Sequence, residues 1–201
     1  MSLEIKSAGE PVLRETAVKL SRENILSPAI QQLIEQMRET MYKAPGVGLA
    51  APQVGLGLQL AVIEDKPEYM KDIPPETLTD RERKPVPFHV IINPVLTLET
   101  TPDAEFPQIE FFEGCLSLPA LMALVRRAVR VRVDCLDHQA NPRTIHASGW
   151  YARILQHEID HLNGTLYIDR MEPRSLCTLD NYNKHWKELT VVQVKARLTQ
   201  P

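Results

Sequence analysis

The chain has 201 residues, 43% hydrophobic and 24% charged, a globular balance that excludes a disordered chain and suits a single domain. Its net charge of −3 leaves no basic surplus to hold a phosphate backbone, so direct, specific nucleic-acid binding is not expected. Mean hydropathy is −0.23, and Gln, Pro or charge breaks every apolar run well short of the roughly 18 residues of a membrane helix, so no membrane span is expected.

The N-terminus, Met1-Ser2-Leu3-Glu4-Ile5-Lys6, has no basic region followed by an apolar stretch and a small-residue cleavage site. Cys115, Cys135 and Cys177 are odd in number and widely spaced, which favours free thiols in a reducing compartment over a disulfide framework. The expectation is a cytoplasm, although a mature organellar form without its transit peptide would read the same. Ser27-Pro28 offers an N-cap and a proline at the first helical position. Ile30, Leu33, Ile34, Met37 and Met41 then recur at helical spacing, which predicts an amphipathic helix to about Lys43. Leu58 to Ile63 and Phe88 to Ile92 read as strands. Val129, Val131, Val133 and Cys135 alternate with Arg130, Arg132 and Asp134, the period of a half-buried antiparallel strand.

Two proline-bearing polar stretches, Glu64 to Pro87 and Glu99 to Gln108, read as tolerated surface insertions. From Ser148 the pattern is helical again, with Gly164 as C-terminal cap, and Asn181 to Leu198 reads as a last helix. Residues 1–170 are expected to form the catalytic domain, with 171–201 a partly helical extension packed on it.

On the second predicted helix, His157-Glu158-Ile159-Asp160-His161 has the pattern H-E-x-x-H. Residues four apart share a helix face, so both imidazoles reach one divalent ion, with Glu158 beside them as a proton acceptor. The same pattern also fits two hydrogen-bonded core histidines. A longer zinc-protease pattern fails, because Tyr167 stands where its third histidine belongs. Glu172 and Glu188 are downstream candidates for a third ligand. Upstream, Glu113-Gly114-Cys115-Leu116-Ser117 offers a thiolate that completes a three-ligand set with an open position, although a free cysteine is often only a small buried hydrophobe. Gly46-Val47-Gly48-Leu49-Ala50-Ala51-Pro52-Gln53 permits close backbone approach to a ligand but lacks the spacing and lysine of a phosphate loop.

Taken in order, G-V-G-L-A-A-P-Q, E-G-C-L-S and Q-H-E-I-D-H-L resemble the peptide deformylase family over about Ile5 to Asp169. The resemblance implies an α+β fold with antiparallel strands packed around a central metal-binding helix. It also implies removal of the formyl group from the N-terminal formyl-methionine of nascent peptides. At the matching positions, Cys115, His157 and His161 would be metal ligands, Glu158 the general base, and Gln53 with the Leu116 N–H the oxyanion donors. The Val47 and Gly48 backbone would pair with the extended substrate. Val47, Phe111, Glu113, Trp150, Arg153, Ile154 and His157 would form or border the methionine pocket, with the alkyl stem of Arg153 on its wall and its head in solvent. Glu113 and Arg127 would brace the second motif as a charged pair. Ala120-Leu121-Met122 is apolar where some members place an arginine.

The resemblance favours Fe2+ as the native ion, with Zn2+, Ni2+ or Co2+ as replacements. Rival readings are a peptidase cutting internal bonds and a non-catalytic binding protein that keeps the fold. Lys184, Lys187, Lys195 and Arg197 raise a ribosome-docking role for the last helix.

Overall fold

The computed structural model describes residues 2–44, 46–100 and 106–199. In chain order these form α1 (Arg22–Leu26), α2 (Pro28–Lys43), β1 (Gly48–Ala50), β2 (Leu60–Asp65), α3 (Pro75–Asp80), β3 (Val86–Leu98), β4 (Gln108–Cys115), β5 (Leu118–Ala128), β6 (Arg130–Leu136), β7 (Pro142–Ser148), α4 (Gly149–Leu162), β8 (Cys177–Thr178), α5 (Leu179–His185) and α6 (Val191–Thr199). One antiparallel sheet runs β1-β2-β3-β6-β7 and a second runs β4-β5-β8. The α+β architecture follows the expectation.

The larger sheet is covered on both faces. Leu33, Ile34, Met37 and Met41 of α2 pack with Leu49, Leu60, Val62, Val90 and Ile92. Ala152, Ile154, Leu155, Ile159 and Leu162 of α4 pack with Ala50, Ala61, Ile63, Ile91, Val131 and Val133. This explains the unbroken apolar run in β2, since a strand buried on both sides needs no alternation. β6 is buried at Val131, Val133 and Cys135 between exposed Arg130 and Arg132, the period-two pattern its sequence predicts.

Helix α4 also packs against β5 of the smaller sheet, so it lies between the two sheets and nearly all of it is buried. The Gln156 amide receives the Ala128 N–H at 3.0 Å and donates to the Ala128 carbonyl at 2.9 Å, stitching α4 to the end of β5. Ser148 is the N-cap residue of α4, yet its hydroxyl donates to Glu82 and not to the helix backbone. Gly164 takes φ +71° after the helix, as a C-terminal glycine should.

Two expectations need correction. Residues 64–87 are not a structureless insertion: they carry a 3-10 turn at Pro67–Met70 and helix α3. Their buried Asp65 grips Arg83 through two bonds of 2.8 Å, and the Arg81 carbonyl receives the Trp150 N–H. Of the stretch from Glu99 to Gln108, residues 101–105 lie outside the described residues. The predicted last helix is two, α5 and α6, interrupted near residues 186–190. Tyr182, Trp186, Leu189, Val194 and Leu198 from this segment cover Phe112, Met122 and Leu124. Lys195 pairs with Glu110, and Arg197 donates to the His185 carbonyl. Among the described residues, no helix is long and apolar enough to cross a membrane.

Candidate active site

Cys115 ends β4 at a tight turn, where it pairs with Leu118 across Leu116 and Ser117. The turn aims the sulfur back at α4, and Cys115 Sγ accepts the Ser117 N–H at 3.4 Å. One helical turn apart on α4, His157 and His161 present rings whose centroids are 5.1 Å apart. Cys115 Sγ lies 3.2 Å from His161 Nε2. One ligand atom from each of Cys115, His157 and His161 falls within 4.8 Å of the others. Of the three third-ligand candidates, only Cys115 joins the histidines; Glu172 instead caps a 3-10 turn by receiving the Arg174 N–H.

The polar face of α4 is buried, and its Arg153 and Asp160 are paired. Glu113 receives two bonds of 3.0 Å from Arg127, a third from Arg153, and lies 3.0 Å from His157 Nδ1. Arg127 reaches on to Asp160, which also receives both Arg170 bonds. Burial by itself would raise the Glu113 pKa, but the His157 hydrogen bond and the Arg127 charge outweigh it and hold the carboxyl well below its usual range. A permanent Glu113 carboxylate accepts from His157 Nδ1 and leaves Nε2 free for an ion. Burial lowers the His161 pKa, which keeps that ring neutral, the form a metal needs.

Arg153 overturns an expectation. Its head does not reach solvent: the residue is 3% exposed and its guanidinium bonds Glu113, the Val125 carbonyl and the Ile109 carbonyl. A guanidinium with three interior acceptors gains more inside than by snorkelling.

Glu158 is buried, and its Oε2 has no hydrogen-bond partner in the protein. Burial pushes its pKa up to about 7, against the pull of His157 and Arg127. The carboxylate fits because residue 48 is glycine: a Cβ there would collide with the Glu158 side chain. Gln53 is fixed by its Oε1, which receives the Ala50 N–H at 2.9 Å. That turns its Nε2 towards Cys115 Sγ and Ser117 Oγ, at 3.5 and 3.3 Å.

These groups open on a cavity of about 530 Å³, which Val47, Gly48, Gln53, Glu113, Cys115, Leu116, Trp150, Arg153, Ile154, His157 and Glu158 all line. Phe111 does not line it; its ring stands behind, 6.3 Å from that of Trp150. β1 is an edge strand of its sheet. The Val47 carbonyl already accepts the Glu64 N–H, so strand alternation puts the backbone groups of Gly48 on the open edge. Ala120, Leu121 and Met122 form an apolar wall with Leu179 and Tyr182 of α5.

Sequence reasoning did not find Arg81, Leu179 or Tyr182 on the cavity wall, nor Asp160 and Arg170 in the charge network. Asp160 carried a signal: it lies inside the H-E-x-x-H turn, on a helix whose other face is apolar. For the rest, nothing local marks a side chain that reaches the site from a distant segment.

The donor set fits a metal ion. A thiol and two imidazoles converge, one imidazole is already oriented by a carboxylate, and an acid without a partner stands alongside.

A family model described as polypeptide deformylase matches residues 2–176. The chain is 46% identical over 178 residues to the chloroplastic peptide deformylase 1A of Solanum lycopersicum, covering 89% of this chain and 62% of the tomato protein, so it spans less than two thirds of that relative's length. It is 43% identical over 197 residues to peptide deformylase 3 of Streptomyces avermitilis, covering 98% of this chain and 83% of the other. Among solved structures, a class I type b peptide deformylase from Acinetobacter baumannii bound to Met-Ala-Ser superposes with a TM-score of 0.72 at 31% identity, covering 85% of this chain and 99% of that one.

Proposed function

The chain belongs to the polypeptide deformylase family, and from that premise we propose that it is a metal-dependent hydrolase that removes the formyl group from the N-terminal formyl-methionine of new polypeptides, releasing formate. The observation that carries this reading is the convergence of Cys115, His157 and His161 beside the unpartnered Glu158 carboxylate.

A divalent ion held by Cys115 Sγ and one ring nitrogen of each histidine would lower the pKa of a coordinated water from about 15.7 towards 7 and draw charge from the formyl oxygen. Glu158, poised near neutrality, takes a proton from the attacking water and returns it to the leaving amine. The Gln53 amide and the Leu116 N–H hold the charge that gathers on the formyl oxygen. The open edge of β1 at Gly48 receives the substrate main chain as an added strand. Trp150, Ile154 and the aliphatic part of Arg153 enclose the methionine side chain, with Phe111 backing Trp150.

Sulfur and nitrogen ligands suit ferrous iron, zinc, nickel and cobalt alike. We take ferrous iron as the native ion, on the family resemblance. Metal analysis after anaerobic purification tests this: zinc alone at full occupancy with full activity contradicts it. Three free cysteines support a reducing compartment, and we place the protein in a bacterial cytoplasm, where formylated chains are made. The reaction itself is tested by formate release from a formyl-Met-peptide, set beside cleavage of unformylated peptides. Formate release alone is expected; internal cleavage without formate refutes the proposal.

A further inference from the structure

The cavity has a second wall that the reaction does not use. β4 is the free edge of the smaller sheet, and its successive side chains point to opposite faces. Glu113 accepts from Arg153 on the α4 side. Phe112 faces the other way, with its ring centre 5.0 Å from that of Tyr182 in α5. Both residues line the cavity, which therefore passes round the edge of β4. Gly114 lies on the same face as Phe112. A Cβ there would stand 2.8 Å from Met122 Sδ, so Met122 supplies the wall at that point.

Helix α5 is set on this face by its neighbours. Leu121 pairs with Thr178 and Met122 with Cys177, so α5 starts where that pairing ends. Thr178 caps the helix by accepting the Asn181 N–H at 3.2 Å. Tyr182 and Trp186 pack on Phe112, whereas Leu179 joins none of the buried clusters of the described residues and is 41% exposed. Its side chain stands on the cavity wall with Leu121, Met122 and Tyr182. The family match ends at residue 176, so α5 lies beyond it.

A large apolar side chain left open on a cavity wall gains by burial against an apolar partner, because both leave water together. The geometry says which part of a substrate arrives there. Along an extended peptide added to the β1 edge, side chains alternate, so a methionine directed to α4 sends the next side chain towards α5. We propose that Leu179, with Met122 and Tyr182, selects the residue that follows the formyl-methionine and favours an apolar one. The proposal rests on the deformylase reading and adds a second position to its substrate recognition.

The test measures kcat/KM for formate release from matched formyl-Met-Leu-Ala, formyl-Met-Ser-Ala and formyl-Met-Lys-Ala peptides. It uses the metal-loaded wild type, Leu179→Ala and Leu179→Glu. Leu179 is the first residue of α5, where an acid suits the helix dipole, so the charged variant keeps the helix. Ratios between peptides cancel any general loss from folding or metal content. The wild type is expected to prefer leucine over serine about tenfold, the size of partial burial of a leucine side chain. That preference falls towards one in Leu179→Ala. In Leu179→Glu the lysine-to-leucine ratio rises about tenfold, from a lost apolar contact and a gained opposite charge. A wild type indifferent between leucine and serine, or ratios that neither substitution moves, overturns the proposal. Failure of the wild type to release formate from all three peptides refutes the proposed function instead.

Discussion

Removing the Glu113 carboxylate tests how the site is held. Its two oxygens serve Arg127, Arg153 and His157, and the side chain is 5% exposed. Glu113→Ala leaves two buried guanidinium groups short of their anion. Neither is abandoned, because Arg127 keeps Asp160 and Arg153 keeps the Val125 and Ile109 carbonyls. The loss is therefore counted once, at about 3–5 kcal/mol for a broken buried ion pair. That is a large part of the roughly 5–15 kcal/mol that holds a domain together. For a chain of this size it lowers Tm by about 6–20 °C. Urea and thermal unfolding of the chelated protein read this directly, without any contribution from bound metal. His157 also loses the acceptor that orients its ring, so metal affinity should fall about 10- to 100-fold. A chelated Glu113→Ala protein within about 1 kcal/mol of wild type would refute the reasoning.

Three further outcomes are expected. Gln53→Ala should lower kcat about 100- to 1,000-fold with metal content unchanged, as for loss of one oxyanion donor; near-normal turnover would remove Gln53 from that role. Gly48→Ala pushes a Cβ into Glu158, so it should cut deformylation sharply while Cys115, His157 and His161 still bind metal; retained activity would show that the carboxylate need not sit there. His89 gives a pH effect away from the site. Burial lowers its pKa below 6.5, and His89 Nε2 lies 2.9 Å from the Tyr151 hydroxyl. A folded pKa below the unfolded one means that the unfolded chain binds the proton first as pH falls. The stability that a neutral His89 contributes is thus complete above about pH 6.5 and lost as pH drops towards the folded pKa. Urea midpoints at pH 7.5 and 5.5 should therefore fall more for wild type than for His89→Gln, and parallel falls would contradict the assignment.

Much of this was legible because local chemistry and tertiary context agree. Pro28 to Lys43 has a cap, a proline and an apolar stripe, and forms a helix over that span. The alternation around Val131 and Val133 places β6 correctly because only one of its faces is buried. β4, β5 and β7 went unread. β5 is buried consecutively from Ala123 to Val125, and β7 has only Ile145 and Ala147 pointing inward, too few to show a period. The convergence of Cys115, His157 and His161 was legible because two of them share a helix turn, and the third lies in a motif whose glycine precedes a lone cysteine. The head of Arg153 was misplaced because its partner, Glu113, comes from strand β4, and no spacing along the chain records that encounter. For the same reason the segment from Glu64 to Pro87 passed for an insertion. Its prolines mark turns, whereas its contribution to the cavity lies in Arg81, which a backbone bond to Trp150 sets in place.

The most direct measurement is metal content per chain in wild type beside Cys115→Ala, with both proteins shown to be folded. One ion per wild-type chain and a marked loss in the variant are expected, because two imidazoles alone leave the ion without its sulfur. Full occupancy in the variant, or an active wild type that carries no ion, would contradict the account.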